Sequence, residues 1–352
     1  MIDGNYMTII EEEFNRYSNY IDYTSFRDKV FLITGAKGFL ASATIRFLLY
    51  LNKQYNLNLF IYGTTRNIDK LPEYINKEDP IKYITFNSFE SYTFEKNIDY
   101  IIHTAAPTSR LEFIEHPLET FDIITTGTGR ILEFAKKNNV KSTLYLSSVE
   151  IYGSPKTDKL VEEKDYFALD PNELRNCYPL GKKVAEYLCN TYYKQFNLPV
   201  NIVRPSSVQG LFQPYTEDRI FNQILRCIIE HKNFIFKTKG ETAKTLIYTM
   251  DAVLGMLTIL VSDKFGETYN LTDNKTFFMM KDIVQNIFDH FNTGLQVKFE
   301  LEDDSKTGYI APLSYNLSTE KLESLGWKPQ TDLFEIYEID LRRFNYEKLS
   351  NN

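Results

Sequence analysis

From residue 30 onward, short apolar runs alternate with longer amphipathic stretches, as a parallel sheet covered by helices requires. Val30-Phe31-Leu32-Ile33 reads as a buried strand, and residues 39–51 carry helical periodicity. The runs at 57–62, 81–86, 100–103, 143–146 and 200–203 continue the strand series. Residues 117–137 predict a long helix with proline in its first turn, and 178–196 predict another. The fold class expected is therefore α/β, a doubly wound parallel sheet with its crevice at the C-terminal ends of the strands.

Beyond Arg204 the alternation loosens. Residues 220–230 and 280–291 look helical and 297–301 extended, while Gly294, Gly308, Pro312 and Pro329 punctuate the remainder. That describes a smaller mixed α/β lobe. Ahead of the first strand, residues 1–28 carry spaced Phe14, Tyr17, Tyr20, Ile21 and Phe26. They read as a helical extension packed on the main domain or on a subunit partner, with a functional arm as the other reading.

At 352 residues, 43% hydrophobic and 25% charged, the chain has the composition of a globular protein of one large domain or two unequal ones. A net charge of -7 and the lack of a basic stripe argue against a nucleic-acid or anionic-membrane surface. Cys177, Cys189 and Cys227 are an odd set without C-x-x-C spacing, so neither a disulfide framework nor a zinc site is expected, and no metal is assigned. That suits a reducing cytoplasm. Glu11-Glu12-Glu13-Phe14 is unlike the basic-then-apolar start of a signal peptide, and the apolar run 252–261 is too short to span a bilayer.

Where the first strand meets its helix, the chain reads Thr34-Gly35-Ala36-Lys37-Gly38-Phe39-Leu40. A glycine-rich turn at this place binds a dinucleotide pyrophosphate, because backbone N–H groups and the helix N-terminus point at the anion. Gly35 would allow the tight turn and Gly38 the close approach, and Ala41 is small enough for the third glycine position; Lys37, Phe39 and Leu40 complete the cradle. Residues 29–205 are accordingly expected to form a Rossmann-type NAD(P)-binding domain to which 244–262 returns, with 206–352 mainly a substrate-binding lobe. The second strand ends Ile61-Tyr62-Gly63-Thr64-Thr65-Arg66, without the carboxylate that usually accepts a hydrogen bond from the NAD ribose. Gly63 would spare a 2′-phosphate repulsion, Arg66 would offer it a planar fork and Lys37 a positive charge, which favours NADP over NAD. The other reading leaves Arg66 and Lys37 as solvated surface charges.

Tyr178-Pro179-Leu180-Gly181-Lys182 is the reacting counterpart. Residues four apart on a helix share a face, so the Lys182 ammonium is expected beside the Tyr178 phenol, favouring its ionisation. A phenol with its pKa lowered toward neutrality is an acid or base for a sugar hydroxyl.

Leu146-Ser147-Ser148-Val149-Glu150-Ile151-Tyr152-Gly153 followed by Asn176-Cys177-Tyr178-Pro179-Leu180-Gly181-Lys182 resembles the extended short-chain dehydrogenase/reductase family, the epimerases, dehydratases and decarboxylases of nucleotide sugars. His103-Thr104-Ala105-Ala106-Pro107 and Tyr248-Thr249-Met250-Asp251-Ala252 extend the resemblance. It implies that Tyr178 is the acid/base, that Lys182 lowers its pKa and holds the nicotinamide ribose, and that Ser148 shares the hydroxyl proton, with Ser147 as the substitute one register away. It also implies that Ala105 and Ala106 line the pyrophosphate and ribose and that Pro205 sits near the nicotinamide. Glu150 is either a base or orienting carboxylate facing the sugar, or a structural carboxylate bonding loop N–H groups.

Ala106-Pro107-Thr108-Ser109 and Lys183-Val184-Ala185-Glu186 look locally most like UDP-glucuronate decarboxylases. By that resemblance Thr108 and Ser109 belong to the substrate pocket, and Arg219 and Lys244 meet the nucleotide diphosphate; for Arg219 a helix-cap charge is the other reading. Lys244 replaces an arginine, so a bidentate contact becomes a point charge. Three departures stand out. Val149 replaces the aspartate acid of 4,6-dehydratases, Ile124 replaces a helix asparagine, and Ser207 replaces the asparagine that usually positions substrate.

Two reactions follow. The first is redox-neutral modification of a nucleotide-activated sugar by hydride transfer at a carbinol carbon, in surface-glycan precursor synthesis. The second is NADPH-dependent reduction of a ketose linked to a nucleotide diphosphate, giving a polyol or deoxysugar. A non-catalytic dinucleotide-binding regulator on the same fold is a third, minor reading. The substrate implied is a nucleotide-diphosphate sugar or polyol, and the family implies a homodimer built on the helices 117–137 and 178–196.

Overall fold

The computed structural model describes residues 4–69, 75, 78–155, 157, 159–301 and 314–350; Gly308 and Pro312 lie outside the described residues. Seven strands form one parallel sheet: β1 (Val30–Thr34), β2 (Phe60–Thr65), β3 (Ile81–Thr85), β4 (Tyr100–His103), β5 (Ser142–Leu146), β6 (Val200–Pro205) and, from beyond a second small sheet, β10 (Thr268–Leu271). Their spatial order is β10-β6-β5-β4-β1-β2-β3, so the chain reverses direction between β1 and β4 and opens the crevice there. β1 and β4 are buried on both faces, which is why they read as unbroken apolar runs.

Two strands differ from the sequence expectation. β2 begins at Phe60 and not at residue 57, because Asn56 and Asn58 hold left-handed backbone at φ 49 and 54 and delay the extended run. Phe86 leaves β3 for a 3-10 turn, Phe86–Ser91.

Helix α1 (Gly4–Ser18) buries Tyr6, Ile9, Ile10, Phe14 and Tyr17 in the main core. α2 (Phe39–Tyr55) follows the glycine turn; α3 (Arg110–Glu115) is a short helix before α4 (Pro117–Lys137), which packs along α5 (Cys177–Phe196). Gly181 faces Phe121 and Ile124 across that packing, where a Cβ would make ordinary contact.

The second half holds β7 (Ser207–Gln209), α6 (Ile220–Glu230), β8 (Phe234–Phe236), β9 (Ala243–Tyr248), α7 (Thr249–Leu260), β11 (Asp273–Met279), α8 (Met280–His290), β12 (Val297–Phe299), α9 (Glu320–Glu323) and α10 (Leu333–Ser350). β11, β9 and β7 make a three-stranded sheet and β12 pairs with β8. The segment 244–262 thus divides. β9 belongs to the small sheet, while the buried α7 packs against α2, β5 and β6 of the large one. Among the described residues no helix is long and apolar enough to cross a membrane.

Candidate active site

The crevice is tied together at the C-terminal ends of β1 and β4. Thr34 Oγ1 accepts from the N–H groups of Thr104 and Ala105, both at 3.2 Å, and Thr104 Oγ1 returns a bond to Thr34 O at 2.6 Å. His103, whose role the sequence left unassigned, contacts Thr34 Oγ1 at 2.7 Å and Thr128 Oγ1 at 3.2 Å. Burial, aided by the Lys182 charge, lowers its pKa to about 3, so the imidazole is a neutral strut.

Gly35 stands at φ 65, and a Cβ on it would lie 2.9 Å from Ala105 Cα. Gly38 caps α2 without a side-chain bond, and no acidic residue occupies the first turn of that helix. The leading amides are left for an anion, in a cradle that side chains at 35 or 38 would fill. Phe39 and Leu40 open the helix, and the buried Ala41 fills the third small position. These residues fit the pyrophosphate of a dinucleotide.

Gly63 has a packing role as well. It sits inside β2 opposite Ile33, where a Cβ would come within 3.0 Å of Ala36 Cβ and 3.1 Å of the Tyr83 ring. It is a packing glycine that seats the turn on β2, a contact fastened by Ala36 N donating to Thr64 O at 2.9 Å. Lys37 is not merely solvated: its Nζ donates to Asn67 O at 2.6 Å, bridging the glycine turn to the segment after β2. Arg66 is exposed beside that bridge.

Across the crevice, Tyr178 is the second residue of α5, and its ring stacks on Phe113 at 4.6 Å. Burial pushes the phenol well above its ordinary pKa, with Glu150 adding to the rise; a hydrogen bond with Ser148 and the charges of Arg219 and Arg175 pull it down. Lys182 shares a face with Tyr178 as the spacing suggested, its Nζ 5.8 Å from the centre of the tyrosine ring. Its Nζ donates to Leu146 O at 2.5 Å, and burial lowers its pKa to about 7 against the raising influence of Glu186. The cations that favour the phenolate here are the two arginines.

Ser148 also caps the 3-10 turn Val149–Tyr152 by accepting from Glu150 N at 3.1 Å. Glu150 accepts in turn from Arg175 Nη2 at 3.1 Å. Lys244 is driven down by burial, with Glu150 supporting its charge and Arg175 and Arg219 opposing it. Glu150, Arg175 and Arg219 therefore act both on the phenol and on Lys244. Arg175 escaped the sequence reading although it stands three residues before Tyr178; a cation one turn ahead of the phenol was the available signal. Tyr315, likewise missed, donates to Val149 O at 3.1 Å from a buried position next to Glu150.

Other expected site residues scatter. Ser147 turns away from the crevice and donates to Glu186 Oε1 at 2.5 Å, so it serves a buried ion pair and does not stand in for Ser148. Thr108 and Ser109 are exposed ahead of α3. Half-buried Ala105 and Ala106 follow β4, Pro205 ends β6, and Ser207 begins β7 opposite Leu246. Ile124 is core beneath Gly181. Among the described residues, no cluster of three or more His, Cys, Asp or Glu could hold a metal ion.

Residues 31–272 match the NAD dependent epimerase/dehydratase family, and the chain belongs to that family of enzymes. It is 27% identical over 316 residues to dTDP-D-glucose 4,6-dehydratase of Bos taurus, covering 87% of this chain and 85% of that one. It is equally 27% identical over 257 residues to UDP-glucuronic acid decarboxylase 1 of Xenopus tropicalis, covering 72% of this chain and 59% of that one. In three dimensions a dTDP-glucose 4,6-dehydratase from Bacillus anthracis, solved in complex with NAD, superimposes with a TM-score of 0.74 at 19% identity, over 91% of this chain and 98% of that one. Equal identity to a dehydratase and a decarboxylase leaves the reaction to the site itself.

Proposed function

We propose that the protein modifies a nucleotide-activated sugar by hydride transfer at a carbinol carbon, with Tyr178 as acid/base. The carrying observation is the buried phenol, whose ionisation responds to Ser148, Arg219 and Arg175, which lower its pKa, and to Glu150, which raises it. A nicotinamide dinucleotide supplies the hydride acceptor and donor; Gly35, Gly38, Phe39, Leu40, Ala105, Ala106 and Pro205 would hold it, with Lys182 at its ribose. Ser148 relays the hydroxyl proton to Tyr178, and the arginines stabilise the phenolate that accepts it. Thr108, Ser109 and Ser207 line the sugar side, and Arg219 and Lys244 meet the diphosphate. Val149 cannot donate the proton a 4,6-elimination of water needs, which supports epimerisation or loss of a C5 substituent, with Glu150 as the carboxylate at C5.

A second reading rests on the end of β2. With no carboxylate there, Lys37 held across it and Arg66 exposed beside it, the site favours NADP over NAD, which suits an NADPH-dependent reductase of a nucleotide-linked ketose. Homodimerisation is part of the proposal. Leu111, Ile114, Leu118 and Phe121 on α3 and α4, with Val184 and Tyr187 on α5, expose an apolar face, Leu118 at 85%. Three free thiols suit a reducing compartment, the cytoplasm.

Denaturing the purified protein and identifying any released dinucleotide by mass spectrometry tests these readings. Near-stoichiometric oxidised dinucleotide supports the redox-neutral reaction. An empty protein that binds NADPH reversibly supports the reductase, and affinity for neither nicotinamide dinucleotide overturns both.

A further inference from the structure

Between β7 and α6 the chain crosses 210–219 to reach Arg219, the N-cap of α6. The far half of this crossing is fastened by α6 itself. Asn222 Nδ2 donates to the carbonyls of Pro214, Tyr215 and Glu217, and Arg226 Nη1 donates to those of Tyr215 and Glu217 at 2.8 and 2.6 Å. The near half is held by groups that lead back to α1. Phe212 adopts φ 74, a left-handed conformation that an aromatic residue keeps only where its surroundings fix it. Its ring lies 5.9 Å from that of Phe14 on α1, with the Arg46 guanidinium 4.6 Å above it. Phe14 is itself locked between Phe47 and Tyr50 of α2.

Two more contacts converge on the same stretch. A Cβ at Gly210, φ 122, would lie 2.5 Å from the Tyr248 ring, so the backbone rests directly on that tyrosine, whose hydroxyl donates to Glu13 Oε2 of α1 at 2.9 Å. Gln213 O accepts from Arg343 Nη2 at 2.7 Å, and that guanidinium covers the Tyr6 ring of α1. Tyr6, Glu13 and Phe14 recur along one face of the helix, about two turns in all.

We infer that α1 is a positioning element for the substrate loop: it holds residues 210–213 in their strained path and so anchors the near end of the crossing whose far end, tied to α6, carries Arg219. This rests on the reading that Arg219 meets the nucleotide diphosphate. The helix acts through Phe212, Tyr248 and Arg343 and does not itself touch substrate. Its loss should weaken nucleotide binding while leaving the glycine turn and its dinucleotide alone.

The test compares full-length Phe14→Ala, Phe14→Leu and Phe212→Gly with the parent protein. Phe212→Gly deletes the ring while suiting φ 74, so it probes the contact without disturbing the α1 core. Amide hydrogen exchange at 209–219 should quicken about tenfold in Phe14→Ala and Phe212→Gly, with 30–42 and 142–148 unchanged, and Phe14→Leu should recover most of it. By calorimetry with uridine, cytidine and thymidine diphosphates, the Kd of whichever binds should rise about tenfold while dinucleotide Kd stays constant. Parental exchange at 209–219, or loosening spread equally over the glycine turn, would overturn the inference. Arg219→Ala binding the diphosphates as tightly as the parent would sink the reading of Arg219 instead, and the exchange data would still decide the role of α1.

Discussion

Arg175 Nη2 donates to Glu150 Oε2 at 3.1 Å, joining two 3-10 turns whose charges both act on the Tyr178 phenol. Glu150 raises the phenol's pKa and Arg175 lowers it, so the pair sets the balance on the acid/base. Arg175→Gln removes the lowering charge and frees the raising one. The limb of the pH–rate profile that reports the phenolate should move to higher pH, and turnover near neutrality should fall about tenfold for each pKa unit. Dinucleotide affinity should not change. An unmoved profile would show that the pair is structural.

Tyr178→Phe keeps the ring stacked on Phe113 and deletes only the hydroxyl. Turnover should drop about a hundredfold or more, the usual worth of a positioned acid/base, while dinucleotide binding stays nearly intact. Survival of activity would dismiss Tyr178 as the acid/base.

What could be read in the chain was local. Tyr178, Lys182 and Ser148 stood out as candidates because helical spacing and a strand end are short-range signals, and α4 and α6 were bounded correctly by their periodicity. β10 was missed because Thr268-Tyr269-Asn270-Leu271 contains a buried polar residue: Asn270 accepts from Tyr152 Oη at 2.7 Å and donates to Val161 O and Ser318 O, partners 48 to 118 residues away. The same holds for Arg175 and Glu150, separated by 25 residues. The direction of Lys182 was illegible for another reason. Spacing places a side chain on a face, but the Leu146 carbonyl decided where its ammonium went.

Glu186, one turn beyond Lys182, takes two bonds from Arg204, Nε to Oε1 at 2.9 Å and Nη2 to Oε2 at 2.6 Å, with both residues buried. Arg204→Met leaves a buried carboxylate with, among the described residues, Ser147 as its remaining donor. Breaking one partner of such a pair costs about 3–5 kcal/mol, whereas replacing both with apolar residues of similar volume is often neutral. Chemical denaturation should therefore show a large loss for Arg204→Met and recovery in the Arg204→Met, Glu186→Leu double variant. Equal losses would mean that the pair contributes through something besides charge burial.

Gly35→Ala places a methyl group 2.9 Å from Ala105 Cα on backbone at φ 65. The left-handed penalty alone is roughly 1–2 kcal/mol, and the contact forces the turn away from β4. Dinucleotide affinity, measured by fluorescence titration, should weaken by at least about tenfold, with a smaller change in overall stability. Unchanged affinity would mean that the cofactor does not use this turn.

Asp340 lies buried on α10, accepting from Gln209 Nε2 at 2.8 Å. Burial raises its pKa from 3.8 to about 6, against the lowering influence of Arg343 and the Gln209 bond. Between these values the folded protein keeps a proton that the unfolded chain releases. The stabilisation is therefore fully present below 3.8 and lost as pH rises through about 6, with an amplitude of no more than about 3 kcal/mol. Asp251, also raised by burial, gives a slope of the same sign, so the contribution of Asp340 is isolated by comparison with Asp340→Asn. The variant, neutral at every pH, should gain on the parent between pH 4 and 7 in urea-unfolding midpoints and show a flatter dependence. Identical slopes would place Asp340 in the folded protein as an ordinary ionised carboxylate, held by Arg343 and Gln209.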